Sequence, residues 1–386
     1  MERASRSIRA AVFTELTRKN GSSRVMCYQY ARSLRALGID MHLFPPSSVF
    51  LCELLNERVT WPGWLVLLCK AVYWYLCVAP RRIVQIARSA GCDVVYVQRG
   101  LFRYGAPPVL EWVLWLWAKK LLGRPILYAL DDAQYLVANA RYFHFRFRMA
   151  DWVSTGNDAI ADYARTFNPH VWILESSVDT DAVEPKQHDE HWPVVIGWTG
   201  TLLDDTGYLG TLRGAMEKLS RRLPVVLRVV SNRPLEAAGA TWVKNRRWTL
   251  EGEWENLRSF DIGVMPLPDE EFTRAKEGYK LKQYMAAGLP VVCSPVGQNT
   301  KLAQDGVNGF FASTEQEWVE KLALLASDWQ LRAKMGRAGR TFVEQHYSMR
   351  VVAPRLAALF REACGNKSSR VSEPATPFEI HSEGGR

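Results

Sequence analysis

This 386-residue chain contains no uninterrupted apolar run of membrane-spanning length, which for a helix is roughly 20 residues. The N-terminal MERASRSIRAAVF holds only a short apolar stretch, which reads as a first strand rather than a secretory leader. Seven cysteines, at 27, 52, 69, 77, 92, 293 and 364, are scattered with no CxxC pair. An odd, unpatterned set reads as free buried thiols in a reducing compartment, so a cytoplasmic protein is expected. No His/Cys cluster has metal-ligand spacing, and no metal is expected. No G-x-S-x-G elbow supports a nucleophilic triad. No G-x-G-x-x-G supports a dinucleotide site. Acidic residues are too few to balance the basic ones, 40 against 49, which leaves a net charge of +9. That favours an anionic partner, but the sign alone does not choose between nucleic acid, membrane lipid and nucleotide. The positive charge is dispersed, with no basic and aromatic groove pattern, so a nucleic-acid partner is not expected.

The composition is globular, with 48% hydrophobic and 23% charged residues, and the length suits two domains. Tryptophan is abundant, 15 in all, and unevenly placed. Trp61, Trp64 and Trp74 lie in WPGWLVLLCKAVYWYLCVAPRR, which Lys70 interrupts and Arg81 and Arg82 end. Trp112, Trp115 and Trp117 lie in VLEWVLWLWAKK, which Lys119 and Lys120 end. One reading is a pair of core helices. The other is an interfacial pair, with indoles at the level of lipid headgroups and basic ends on anionic phosphates. Tryptophan and terminal basic residues coincide twice, which favours an anionic membrane surface.

Short apolar strands alternate with helical patterns. Strands are expected at Ile8–Phe13, Ile39–Phe44, 93–98, 125–130, Trp152–Thr155 and Val171–Leu174. Gly21 to Ser23 reads as a loop and Arg24–Leu37 as a helix stopped by Gly38. A polar stretch, Glu175–Trp192, reads as a linker. The pattern then restarts. Strands are expected at 194–198, Pro224–Val230, 260–265 and 309–312, and helices at Tyr208–Leu219, Glu315–Ser327 and Leu331–His346. Two α/β halves with parallel sheets follow, with a cleft between them at the carboxyl ends of the strands. From Gly365 the Ser-, Glu-, Gly- and Pro-rich tail reads as disordered.

The most informative stretch is Arg274 to Pro295, RAKEGYKLKQYMAAGLPVVCSP. Gly278 precedes a helix that Gly288 stops, Pro290 follows, and residues 291–293 form a short buried strand. A basic loop feeding a helix N-terminus attracts an anion, because free N–H groups and the helix dipole both favour negative charge there. Lys276 and Lys280 bracket that point, which marks it as a diphosphate site. The plainer alternative is a solvated helix start.

SFDIGVMPLPDEEFTRAKEGYKLKQYMAAGLPVVCSPVGQN resembles the donor-binding segment of the retaining GT-B glycosyltransferases of family 4, glycosyl transferases group 1. VIGWTG, residues 195–200, resembles the first strand and glycine loop of their C-terminal domain. Residues 150–181 resemble the segment leading into their hinge, and 21–39 their N-terminal loop and first helix. The resemblance runs in order from about residue 8 to about residue 363. It implies two Rossmann-like doubly wound domains, 1–177 for the acceptor and 178–346 for the donor. A C-terminal helix, about 347–364, would cross back to the first. It also implies a nucleotide-sugar donor, UDP- or GDP-linked, in the cleft. The acceptor would be a glycan or lipid-linked acceptor at the inner face of the membrane, in cell-surface polysaccharide synthesis.

Residue by residue, the resemblance implies that Lys276 and Lys280 neutralise the diphosphate as the leaving group gains charge. Gln283 would hold the ribose in place of the second glutamate of an E-x7-E pattern, since an amide also bonds hydroxyls. Gly21, Ser22, Gly200, Thr201, Arg274, Gly278 and Tyr279 would surround the donor. Asp131 ends a strand where relatives carry a histidine near the reacting sugar, and Asp131 or Asp132 would orient a hydroxyl or stabilise positive charge. One of the pair alternatively caps the next helix. Both Asp131-Asp132 and Asp204-Asp205 are adjacent pairs rather than the D-x-D of metal-dependent transferases, so a metal-independent hexosyltransferase is expected. Retention would follow from front-face attack within an ion pair. Two departures stand out. Ala275 occupies the place of the first, sugar-holding glutamate, with Glu277 two residues away, and residues 201–207 lack the usual Arg/Lys pair. They keep two alternatives open, a non-catalytic binding protein on the same scaffold and a GT-B epimerase.

Overall fold

The computed structural model describes residues 7–46, 63–102, 107–202, 208–237 and 239–365. Trp61, Cys52, the Asp204-Asp205 pair and the tail after Gly365 lie outside these ranges. Two six-stranded sheets form the frame, and every strand pairing in both is parallel. The first contains β1 (Ile8–Phe13), β2 (Ile39–Phe44), β3 (Val94–Gln98), β4 (Ile126–Leu130), β5 (Trp152–Thr155) and β6 (Val171–Ile173), in the order β2-β1-β3-β4-β5-β6. The second contains β7 (Val194–Gly200), β8 (Val225–Ser231), β9 (Val243–Arg247), β10 (Ile262–Met265), β11 (Val291–Cys293) and β12 (Gly309–Phe311), in the order β12-β11-β10-β7-β8-β9.

Side-chain alternation explains why these runs form central strands. In β1, Ala10 and Val12 enter one apolar core and Ala11 and Phe13 the other. In β3, Val94 and Tyr96 face one core and Val95 and Val97 the opposite one. A strand covered on both faces must be apolar at every position, and helices supply the cover. The final helix, Met349–Ala363, returns from the second half. Its Val352, Ala353, Leu356 and Phe360 pack in the core beneath β1 and β3 of the first sheet.

Several expectations need correction. Gly21 to Ser23 is not a loop but the first turn of a helix, Gly21–Met26, because the Asn20 side chain caps it by accepting from Ser23 N at 3.1 Å. The helix expected over 24–37 breaks at Cys27 and resumes as a single turn, Tyr28–Tyr30, and a helix, Ala31–Ala36. The polar stretch 175–192 has little regular structure but is not a free linker. Ser177 and Val178 are fully buried, and Arg340 ties down the carbonyls of Thr180 and Val183 at 2.7 and 3.0 Å. The polar strand β9 and the helix Glu253–Arg258 were invisible to apolar periodicity. β9 is a sheet edge, where exposed lysine and arginine deter pairing with another chain.

The tryptophan-rich segments are helical. They run Gly63–Tyr73, Trp74–Val78 and Ala79–Arg88, then Val109–Trp115 and Leu116–Leu121. Buried Arg82 anchors them, donating to the carbonyls of Leu101, Phe44 and Thr14. One face is core, with Val78, Leu110, Leu114 and Ala118 buried. The other stands in solvent, with Trp64, Leu76 and Leu121 about 70% exposed and Tyr75 and Trp112 more than half. No helix among the described residues is long and apolar enough to cross a membrane.

Candidate functional site

In an open parallel sheet a crevice forms where strand order reverses, at the carboxyl ends of the strands. Here the reversals fall between β1 and β3 and between β7 and β10. A cavity of about 190 Å³ joins the two sets of strand ends. The first domain contributes Gly21, Ser22, Val25, Arg99, Asp131 and Asp132. The second contributes Tyr208, Met265, Leu267 and the run from Lys276 to Lys280.

The second-domain wall is built by the helix Tyr279–Ala286. Gly278 precedes it at φ 67°, and a Cβ there would lie 2.6 Å from Leu302 Cδ1, so glycine is needed twice over. Lys276 Nζ lies 4.7 Å from the Phe272 ring centroid, and Lys280 Nζ 4.3 Å from that of Trp198. Neither ammonium has a carboxylate partner among the described residues. Burial, with Lys276 adding to it, pulls Lys280 down to about 7, while Asp132 across the cleft opposes the shift. Gly200 makes room for this lysine, since a Cβ there would meet its Nζ at 2.6 Å. Burial likewise raises the Tyr279 phenol. Gln283 lies deeper on the same helix, only 4% exposed, and its Nε2 has no hydrogen-bond partner among the described residues. Two expected residues stand apart. Arg274 is exposed and paired with Asp269 at 2.6 Å, and Thr201 is exposed, and neither lines the cavity.

The first-domain wall centres on Arg99, a residue missed at sequence level. It sits just past β3 at φ 61°, the one non-glycine residue in the left-handed region among the described residues. Its Nε and Nη2 bond Asp131 Oδ1 and Oδ2 at 2.5 and 2.9 Å, Nη2 also bonds Asp132 Oδ2 at 2.7 Å, and Nη1 lies 3.6 Å from Glu15. Burial acts to lower Arg99, but Asp131, Asp132 and Glu15 outweigh it and raise it further. Ser22 Oγ donates to Asp131 Oδ2 at 2.5 Å and accepts from Gln98 Nε2 at 2.9 Å. Asp132 does not cap a helix through its side chain. The sequence signal for Arg99 was slight: a Gln-Arg-Gly run at the end of an apolar strand.

Glu277 closes the back of the cleft. Its carboxylate accepts from the Ser176 backbone N–H and from Ser176 Oγ at 2.7 Å, and Lys282 lies 3.7 Å away. Burial pushes its pKa up to about 7, against the lowering effects of Lys282 and Ser176. Ser176 is 101 residues distant in sequence, so nothing local announced the pairing. Ala275 is buried, and its carbonyl accepts from Asn157 Nδ2 at 2.7 Å. Asn299 Nδ2 donates to the Ser294 carbonyl at 2.9 Å and the Met265 carbonyl at 3.5 Å, joining two strand ends. No group of three or more potential metal-ligating side chains occurs among the described residues.

Two parallel-sheet domains meeting across a cleft at their switch points define the GT-B fold. Residues 193–328, within the lysine-bearing half, match the family model described as glycosyl transferases group 1. No curated protein matches the chain in sequence. Solved structures do match in fold. A glycosyltransferase from Rickettsia africae is 14% identical, with 95% of this chain and 100% of that one covered and a TM-score of 0.64. Anabaena HepE, solved with UDP and glucose, is 13% identical, covering 92% and 100%, at 0.62. Sucrose-phosphate synthase from Thermosynechococcus elongatus is 14% identical, covering 92% and 98%, at 0.65. At such identities the likeness is one of fold.

Proposed function

We propose that this protein is a metal-independent, retaining glycosyltransferase. It moves a hexosyl group from a UDP- or GDP-linked donor to a membrane-associated or lipid-linked glycan in cell-surface polysaccharide synthesis. The observation that carries the reading is the pair of ammonium groups, Lys276 and Lys280, on the cleft wall, within the residues that match glycosyl transferases group 1. Fixed cations there stabilise the charge that grows on a departing diphosphate. Gly200, Gly278 and Tyr279 shape the donor side and Gln283 offers an amide for the ribose. Gly21 and Ser22 face the donor from the other domain, and Asp131 organises that wall. Thr201 and Arg274 would join the donor only by moving from their exposed positions. The HepE structure with UDP and glucose supports a uridine donor as the first to try.

The membrane part is supported by the exposed Trp64, Leu68, Tyr75, Leu76 and Trp112, with Lys119 and Lys120 in the last turn of the second tryptophan-rich segment. Phe102, three residues beyond Arg99 of the cleft wall, packs on exposed Tyr75 at 5.7 Å and on half-buried Trp74 at 5.4 Å. An acceptor anchored in lipid would thus reach the cleft along a short path, at the cytoplasmic face of the membrane. The buried Ala275, where a carboxylate was expected, favours a second reading, a non-catalytic sugar-binding protein. A thermal-shift panel of nucleotide-sugars finds the donor, and NMR of the product reads the anomer. Stabilisation without turnover selects the second reading, and an inverted product overturns retention. Transfer should persist in EDTA.

A further inference from the structure

The turn that carries Arg99 is held from behind by three side chains, none of which lines the cavity. The carbonyl of Arg99 accepts from Tyr128 Oη at 2.7 Å, and the carbonyl of Leu101 accepts from Arg82 Nε at 2.9 Å. The N–H of Leu101 donates to Glu111 Oε1 at 3.2 Å. A Cβ on Gly100 would lie 3.0 Å from the same oxygen, so Glu111 sits directly against the turn. Glu111 belongs to the helix Val109–Trp115 of the second tryptophan-rich segment. Its Oε1 also accepts from Arg146 Nε at 2.9 Å and Nη2 at 2.8 Å, and both side chains are fully buried. Its Oε2 has no hydrogen-bond partner among the described residues. An ion pair taken out of water is costly, and apolar residues of like size often serve stability as well or better. Stability alone therefore does not account for a carboxylate here. The turn does, because Arg99 stands at φ 61°, a conformation that persists only where its surroundings impose it.

We propose that Glu111 is a positioning residue for transfer: held by Arg146, it fixes the turn after β3 and so aims the Arg99 guanidinium that orders the first-domain wall of the cleft. The proposal rests on the transferase reading above. Arg99 in turn holds Asp131 and Asp132, so a turn that shifts carries that wall with it. Lys276 and Lys280, the cations for the diphosphate, stand on the other domain. Loss of the Glu111 contact should slow transfer and leave nucleotide binding alone. A misplacement of about 1 Å costs on the order of 100-fold in rate.

Two changes separate positioning from folding. Glu111→Gln keeps the oxygen that accepts from Leu101 and Arg146 but removes the charge opposite a buried guanidinium, so it should melt well below the parent. The paired change Glu111→Met and Arg146→Met removes both charges and the acceptor for Leu101, and should melt above the single change. Transfer should rank the other way. The donor is UDP-glucose, UDP-N-acetylglucosamine or GDP-mannose, whichever stabilises the parent, and the acceptor is a membrane lipid extract. Below both melting midpoints, the single change should keep kcat within about threefold of the parent and the paired change should lower it about 10- to 100-fold. Donor KM and affinity for the matching nucleoside diphosphate should stay within about threefold in both. Transfer that follows the order of melting overturns the assignment, as does a paired change that keeps the parent's kcat or that weakens nucleotide binding as much as it slows transfer. If Glu111→Gln does not fold, the paired change carries the comparison with the parent alone. A paired change that does not fold makes the ion pair structural and overturns the assignment too. A parent that transfers from none of the three donors overturns the functional reading instead.

Discussion

Lys280 and Glu277 show how single residues store the cost of an open cleft. Lys280 titrates near 7 against an ordinary 10.5, because burial in the protein disfavours its charged form. Its contribution to stability is present above pH 10.5 and is lost as pH falls through 7. A bound diphosphate restores the charged form, so nucleotide binding should take up a proton between pH 7 and 10.5. Calorimetry in buffers of different ionisation heat should find that uptake, with affinity falling up to about tenfold per pH unit above 7. Lys280→Met should abolish the uptake and weaken binding about 10- to 100-fold. Glu277 works in the opposite sense. Its folded value of about 7 lies above the ordinary 4.5, so its contribution is full below pH 4.5 and lost as pH rises through 7. Glu277→Gln keeps an acceptor for Ser176 N and removes this loss. Relative to the parent, the variant should gain about 2–3 kcal/mol between pH 4 and pH 8, read as melting midpoints.

At the scale of elements, the helix Tyr279–Ala286 was legible almost residue by residue. Its start at a left-handed Gly278, its end before Gly288 and the strand 291–293 all follow from local chemistry. The tryptophan-rich helices were legible as helices, but periodicity could not say which face meets the core, since apolar residues lie on both. Their exposed face makes a prediction of its own. The combined change Trp64→Ser, Leu76→Ser and Trp112→Ser removes large apolar surface that is already in water, so melting should hardly move. Flotation with vesicles rich in anionic lipid should fall by at least tenfold, and more salt should weaken what remains. Parent protein that fails to float with such vesicles would refute the membrane reading. The helix Gly21–Met26 was misread because a cap, Asn20, outweighed the loop signal of Gly-Ser-Ser.

For the whole molecule, the decisive fact is that two domains share one cavity. Side chains tie them together: Arg24 pairs with Glu253 at 2.6 Å and lies 5.3 Å over Trp248, and Asn157 Nδ2 donates to the Ala275 carbonyl at 2.7 Å. Arg24→Ala strands a largely buried Glu253, so melting should reveal a loss of about 1–3 kcal/mol. Nucleotide should recover part of that loss in proportion to the logarithm of its excess over Kd, because it binds only the assembled cleft.

The sequence by itself determined the two α/β halves, the lysine-bearing loop and the glycine-bounded helix, because apolar period, caps and breakers act over a few residues. It also exposed the missing carboxylate at Ala275. Only the tertiary structure decided which charges meet. Arg99 gathers Glu15, Asp131 and Asp132, while Glu277 is bound to Ser176 from far along the chain. Arg274 turns outward to Asp269. Such partnerships depend on distances of a few ångströms between segments a hundred residues apart, and no local pattern encodes them.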